Sequence, residues 1–516
     1  MSDSKDFEVD MRKRGEPMFA DSTQEFILQL NKAIMHKNIY DIQTLYEHDF
    51  ERQTTKFYKT TPWPSVGAIE QLVGKDENFL ILYQQLYYRH LYGRKPAVGL
   101  ENQLLSYQNY LDLFNIILGL RTEAPEFEIP GVWLWDIIDE FVYQFSAFHA
   151  FRSKVQARES PESTKEDRDL LAQRPHAWSA QTVVVFLKYL AKKGKIPHAG
   201  EAGKPHILFE TLSVYASIGM LRVNCIMGDY TGGIENLRDI DVLGKHEQVM
   251  VPAAHASLHY HLAFAYLMTR RYAECVKCAV DGLTYLSRNK ALIPRTYQQN
   301  NINKMQEQMF GILALATSLV PQRLEESLAS GVQDRFASQM QQMRKMDVDA
   351  YRQIFEAVCP KFIPMCMEPA GNNPPEDPLD LQLAVFLDEV RAIFRVPDIY
   401  SYLKMCTAIN VDRLTSFLGE KDGSLARKLL YLKHKTQSGS LYTENKKKAE
   451  KRPEGVPQPR SKEASSSEMQ FVVSEEMVHV TEKRQVKQHA DFFIREIMRY
   501  EYIVADVDNF RRISYF

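Results

Sequence analysis

Asp136, Asp139 and Glu140 stand at i, i+3 and i+4, a spacing that places three carboxyl groups on one helix face. Paired carboxylates can do general acid–base work or hold metal ions. A di-metal bundle also needs Glu-x-x-His motifs on further helices, and none falls on a second helix here. Ion pairs between helices are therefore the expected role. His255, His259 and His261 precede Cys275 and Cys278, so zinc ligands are present in number. Both groups fall within a helical repeat, where Cys275 and Cys278 take packing positions, and small buried thiols are expected rather than a metal. Gly200-Glu-Ala-Gly-Lys-Pro205 has the outline of a phosphate loop, but His198 stands where the first glycine belongs and Pro205 where a magnesium-binding hydroxyl belongs. A loop between helices is expected there. No G-x-S-x-G, H-E-x-x-H or dinucleotide fingerprint occurs. The chain reads as a non-enzyme without cofactor or metal.

A second kind of chemistry is electrostatic. Lys and Arg total 64 and Asp and Glu total 66, a net charge of −2 over 516 residues. No global field steers such a chain onto nucleic acid, so any RNA contact must come from a local patch. The candidates are Arg427, Lys428, Lys433 and Lys435 on one short helix, with Lys446, Lys447 and Lys448 just beyond it. Helices of this type enter a DNA groove in some proteins. Here the basic residues also suit the solvated side of a helix whose other side is core. Sequence-specific DNA binding is not expected; weak RNA or ribosome contact is kept as a candidate.

The elements that must carry these residues are helical. The chain is 45% hydrophobic and 25% charged, ordinary for a globular protein, and its length suggests about three domain-sized units at roughly 150 residues each. Six cysteines with no secretory signal predict free thiols in a reducing, cytoplasmic setting. The longest apolar runs, such as Phe310 to Val320, fall short of the ~20 residues a membrane span needs. Phe79, Leu82, Tyr83, Leu86, Tyr87, His90 and Leu91 follow helical spacing. Over Trp133 to Phe151 the apolar stripe is so wide that the helix must be buried on several sides. Tyr230 and Tyr272, 42 residues apart, open the second helices of two similar hairpins, a tetratricopeptide-like repeat. A third hairpin is expected near Ala316 to Leu328, with Pro321 opening its second helix. Stacked hairpins of this kind bury a continuous core and expose extended surfaces.

Beyond residue 396 the pattern changes. Ile399, Tyr402, Leu403, Cys406 and Ile409 predict one short helix, Val411 to Leu418 a second stopped by Gly419, and Leu425 to Lys435 a third with Ser424 as N-cap. Gln470 to Ser474 and Met477 to Thr481 predict a hairpin joined by Glu475-Glu476. Three helices and a two-stranded ribbon is the order of a winged helix. Thr443 to Glu468, with three prolines and little to bury, is expected to be a disordered insertion. Val486, Ala490, Phe493, Ile497, Tyr500, Val504 and Val507 are spaced 4-3-4-3-4-3, a heptad seam that packs into a helical bundle. The expected organisation is a disordered N-terminus over 1–20, a helical domain over 21–200, helical repeats over 201–396, a winged helix over 397–482 containing the 443–468 insertion, and a C-terminal helix over 483–516. The fold class is all-α.

Helical repeats leading into a winged helix resemble the PCI module of the proteasome lid, the signalosome and translation initiation factor 3. Thr61-Pro-Trp-Pro64, Phe79-Leu-Ile-Leu-Tyr-Gln-Gln-Leu-Tyr-Tyr-Arg-His90, Trp133-Leu-Trp-Asp-Ile-Ile-Asp-Glu-Phe-Val-Tyr-Gln-Phe145, Ala263-Phe-Ala-Tyr-Leu-Met268, Cys359-Pro-Lys-Phe362 and Asp491-Phe-Phe-Ile-Arg495 resemble, in that order, the subunit L family of initiation factor 3. The resemblance covers nearly the whole chain. It implies a scaffold subunit of the PCI and MPN core beside subunits K and E, whose C-terminal helix joins a shared bundle. The complex of that family binds the small ribosomal subunit and helps recruit mRNA and initiator tRNA. The other readings are a PCI scaffold of the proteasome lid or signalosome and a freestanding RNA-binding regulator.

Overall fold

The computed structural model describes residues 20–94, 98–119, 128–156, 165–193, 207–237, 250–290, 297–364 except 321 and 323, 377–394 and 396–419. Toward the C-terminus it describes 425, 428–430, 432, 437–438, 464–465, 469–474, 476–482, 493, 496, 497, 500, 501 and 504. The fold is all-α in class and built from helical repeats. Two compact units divide at Arg391 and Ala392.

The first unit begins with α1 (Asp21–Met35), α2 (Ile39–Thr44), a π-helical turn (Leu45–Asp49), α3 (Phe50–Phe57), α4 (Val66–Val73), α5 (Glu77–Gly93), α6 (Leu100–Leu118), α7 (Gly131–Gln156), α8 (Lys165–Gln173) and α9 (Ala180–Lys193). Asp76 caps α5 by accepting from Phe79 N–H at 3.3 Å. Of the seven-residue stripe expected on α5, Phe79, Leu82, Tyr83 and Leu86 are each 1% exposed and His90 is buried, while Tyr87 and Leu91 are half-buried. α7 is buried on several sides, as the width of its apolar stripe requires. Its Trp133 stacks on Tyr46 at 4.9 Å, Trp135 meets Tyr215 at 5.5 Å, and Phe141 meets both Phe114 and Trp178. Aromatic pairs in such geometry add about 0.5–1.5 kcal/mol beyond their buried area.

The helical array continues with α10 (Ile207–Met227), α11 (Tyr230–Asn236), α12 (Pro252–Met268), α13 (Tyr272–Arg288), α14 (Tyr297–Leu319), α15 (Glu326–Arg344), α16 (Val348–Val358) and α17 (Pro378–Ile393). The first two hairpins share one turn. Gly228 and Asp229 N–H donate to Cys225 and Asn224 carbonyls, and Arg270 and Arg271 N–H donate to Leu267 and Tyr266 carbonyls at the equivalent positions. Gly228 and Arg270 both take left-handed backbone, with φ of +85° and +64°. Tyr230 and Tyr272 then open their helices, and both reach α17: Tyr230 donates to Gln382 at 2.7 Å and Tyr272 to Glu389 at 3.4 Å. Close approach of α13 to α12 depends on Gly282, where a Cβ would stand 2.6 Å from His259 Cβ.

α14 and α15 form the hairpin expected near Ala316 to Leu328, but its second helix opens at Glu326. Glu325 has the extended backbone of a helix cap (φ −62°, ψ +143°), and Pro321 lies outside the described residues. The shared turn recurs one hairpin later. Met346 has φ +62°, and Met346 and Asp347 N–H donate to Met343 and Gln342 carbonyls before α16 begins. Among the described residues, no helix is long and apolar enough to cross a membrane.

The second unit has α18 (Val396–Met405), β1 (Ala408–Asn410), α19 (Val411–Leu418) and helical backbone at 425, 428–430 and 432. Two short strands, β2 (Gln437–Ser438) and β3 (Ala464–Ser465), precede a hairpin of β4 (Met469–Ser474) and β5 (Met477–Glu482). Ile409 lies in a strand, not in the first helix where its spacing put it. β1 pairs antiparallel with β5, Ile409 opposite Val478, giving the order β1-β5-β4. Either conformation buries Ile409, and the free hairpin edge is what selects the strand. Asn410 caps α19 through Asp412 N–H at 2.7 Å, and Gly419 ends it in left-handed conformation (φ +64°). Ile399, Leu403, Ile409, Leu414, Leu425, Leu429, Leu432, Phe471 and Val478 share one core. Within the expected insertion, β3 pairs antiparallel with β2. The rest of 443–468, Ser424 and the N-terminal 1–19 lie outside the described residues.

Candidate functional site

Asp136, Asp139 and Glu140 do not converge on an open metal-binding position; they knit helices together. Asp136 is 2% exposed. It accepts from Tyr46 OH at 2.5 Å and Gln298 Nε2 at 3.0 Å, and Arg89 Nη1 lies 3.3 Å away. Arg89 also donates to Tyr46 OH, and its Nε sits 3.8 Å from Glu140 Oε1. Asp139 pairs with Arg222 of α10. Segments distant in sequence thus meet on one polar cluster. Glu140 meets its guanidinium at a longer distance than its neighbours do. Burial, opposed by Arg89 and by the hydrogen bond from Gln144 but reinforced by Asp136 and Asp139, pushes its carboxyl up to about 8. A cleft of about 670 Å³ opens beside this cluster, walled by the π-helical turn, α3, α5, α7 and the start of α14.

His255, His259 and His261 are all buried in α12, and each has a partner other than a metal. His255 stacks on Tyr285 at 3.9 Å. His259 Nδ1 donates to Cys278 O at 3.1 Å and His261 Nδ1 to Ser257 O at 2.7 Å. Cys275 and Cys278 are buried free thiols, pushed above the usual thiol range by burial. Burial, with a smaller push from the neighbouring His255, lowers His259 to about 4; burial, with Arg222, lowers His261 to about 3. The unfolded chain therefore takes up protons near pH 6.5, while the folded chain resists them. Stability is fully present above about pH 6.5. It falls by roughly 1.4 kcal/mol per pH unit per histidine as pH drops toward 4. Calorimetry from pH 7 to pH 4.5 is expected to show a falling thermal midpoint whose slope shrinks in His259→Gln. A slope unchanged by that substitution would remove His259 as its source.

Of the basic candidates, Lys428 is described. It lies on the helix that buries Leu425, Leu429 and Leu432 and is itself half-buried. Arg427, Lys433, Lys435, Lys446, Lys447 and Lys448 lie outside the described residues, as does the 200–205 loop. Of the seam, Phe493, Ile497, Tyr500 and Val504 are described, all with helical backbone. Their exposures are 60%, 56%, 62% and 60%. Large apolar side chains repeating at 4-3-4 on one face and standing in water are unusual for a helix that packs within its own chain. Val486, Ala490 and Val507 lie outside the described residues.

Sequence spacing identifies the carboxylate trio but not its partners. Tyr46, Arg89 and Gln298 are brought in by tertiary packing, 90 and 162 residues from Asp136 in the two hydrogen-bonded cases. Gln382 and Glu389 are equally hidden, although the aligned Tyr230 and Tyr272 hydroxyls are a signal that two equivalent acceptors must exist.

The family described as RNA polymerase I-associated factor PAF67 matches residues 102–500. Eukaryotic translation initiation factor 3 subunit L of Nematostella vectensis is 34% identical over 497 residues, covering 93% of this chain and 91% of the relative. The subunits of the same name from Xenopus tropicalis and Homo sapiens are each 34% identical over 478 residues, covering 89% of this chain and 82% of each relative.

Proposed function

Because the chain belongs to the eukaryotic translation initiation factor 3 subunit L family, we propose that it is a non-catalytic scaffold subunit of that factor in the cytoplasm, anchored through its C-terminal helix. The exposed 4-3-4 apolar face of Phe493, Ile497, Tyr500 and Val504 carries this reading. A helix presenting such a face needs facing helices to cover it, and the knobs-into-holes packing of a bundle supplies them. Helical repeats followed by the α18, β1, α19, third-helix and hairpin order support a PCI module whose last part is a winged helix. On this reading the neighbours are subunits K and E within the PCI and MPN core. The small ribosomal subunit, mRNA and initiator tRNA are then reached through the assembled factor.

The description of the matching family favours a second reading, association with RNA polymerase I. Affinity purification of the tagged full chain followed by mass spectrometry separates the two. Recovery of initiation factor 3 subunits and small-subunit ribosomal proteins is expected. Recovery of polymerase I subunits, proteasomal ATPases or cullins in their place overturns the proposal. Salt-sensitive RNA binding by the chain alone, lost when Lys446, Lys447 and Lys448 become alanine, would instead support a freestanding RNA-binding role.

A further inference from the structure

The first helix is apolar on two sides. Phe26, Ile27, Leu30, Ala33 and Ile34 of α1 are buried. Leu28 and Met35, two turns apart on the side away from that core, are exposed, Met35 at 68%. Lys37, in left-handed backbone (φ +55°), turns the chain into α2, whose first residues continue the row. Ile39 is exposed there, and Tyr40 is 78% exposed. Single apolar side chains in water are ordinary, but a row of four is a patch that something covers. Charge on this side is ordered as well. Asp21 and Glu25 are exposed in the first half of α1, and Lys32 and Lys37 are exposed at its end. Asp41, the acid nearest those lysines in sequence, accepts from Asn38 Nδ2 at 2.6 Å.

Residues 1–19 lie outside the described residues, and their sequence matches this face in both respects. Phe7, Val9 and Met11 alternate with Asp6, Glu8 and Asp10, and Arg12-Lys-Arg14 follows. In an extended segment that alternation gathers the three apolar side chains on one side. It leaves the carboxylates at the rim, within reach of long lysine side chains. Run antiparallel to α1, the acids come beside Lys32 and Lys37, and Arg12-Lys-Arg14 comes beside Glu25 and Asp21. The opposite direction would set like charges together. The lengths agree. Phe7 to Met11 spans about 13 Å of extended chain, and Leu28 to Met35 about 10 Å of helix. Residues 12–19 reach at most about 28 Å, more than twice the roughly 12 Å from Ala20 to Leu28. Gly15 and Pro17 within that stretch suit the reversal it must make.

We propose that residues 6–14 fold back along the outer side of α1 and the start of α2, with Phe7, Val9 and Met11 covering Leu28, Met35, Ile39 and Tyr40. The occupant of this face is the chain's own N-terminal segment, held by apolar contact and oriented by charge. The site is independent of the C-terminal helix.

The test is photo-crosslinking and limited tryptic digestion of the full chain. With p-benzoylphenylalanine in place of Phe7, irradiation is expected to link that position, within its own chain, to peptides spanning 28–40, as read by mass spectrometry. Links to a second copy, or links within the chain that fall elsewhere, overturn the proposal. Trypsin cuts after Arg12, Lys13 and Arg14, and its rate tracks the population of the undocked segment. Met35→Ser with Tyr40→Ser, both at exposed positions, is expected to speed cleavage there about ten-fold, and Phe7→Ser with Val9→Ser to do the same. Combining all four is expected to add nothing further, because each pair removes the same contact. Equal rates in the unmodified chain and both double variants, or effects that multiply when combined, overturn it. The crosslink is read with α1 and α2 unaltered, so it stands even if the substitutions at 35 and 40 disturb folding.

Discussion

Serine at Phe493, Ile497, Tyr500 and Val504 together is expected to release the chain from initiation factor 3 while leaving it folded. All four side chains are more than half exposed, so the isolated chain loses little by the change. In a bundle each would be buried, at about 1.5 kcal/mol or more apiece for residues of this size. Four such losses amount to about 6 kcal/mol, or roughly four decades in dissociation constant. Co-sedimentation of the tagged variant with other subunits on a sucrose gradient is the measurement, with circular dichroism to establish that helicity is kept. Deletion of 483–516 is expected to give the same result. A variant that migrates with the complex as the unmodified chain does would refute the anchoring role.

Asp136→Ala is expected to have the largest effect on folding. The substitution takes the nearer carboxylate from the Arg89 guanidinium, 12% exposed, leaving Glu140 at 3.8 Å, and removes an acceptor of Tyr46 OH and Gln298 Nε2. Breaking a buried ion pair from one side costs about 3–5 kcal/mol, because the surviving charge stays desolvated. Urea unfolding of the full chain should show the loss. Adding Arg89→Met to Asp136→Ala should recover much of it, since the stranded charge is then gone. A single-variant loss under about 1 kcal/mol, or no recovery in the double variant, would mean that the cluster relaxes in water rather than being held dry.

Local features are legible in the sequence and non-local ones are not. The core of the α5 stripe, the wide burial of α7, the Gly419 stop of α19 and the pairing of Met469–Ser474 with Met477–Glu482 all follow from spacing or backbone preference within a few residues. Ile409 shows the limit, since an apolar residue four positions past a helix reads the same whether helix or strand buries it. The turn at Met346 and Asp347 shows another. Its backbone matches the turns at Gly228 and Arg270, but Val348 stands where the earlier copies have tyrosine, so no side-chain marker announces it. The cleft is invisible for a stronger reason. Its walls come from segments whose meeting is decided by the packing of α7, and no window of sequence contains them together.

The two hydroxyl contacts on α17 act as a gauge. Gln382 and Glu389 are seven residues apart, two helical turns or about 10 Å along the axis. That is close to the roughly 8–10 Å at which packed helices lie side by side. A single rigid rod therefore holds the opening residues of two successive hairpins at one fixed pitch, clamping the stack against opening or closing like a bellows.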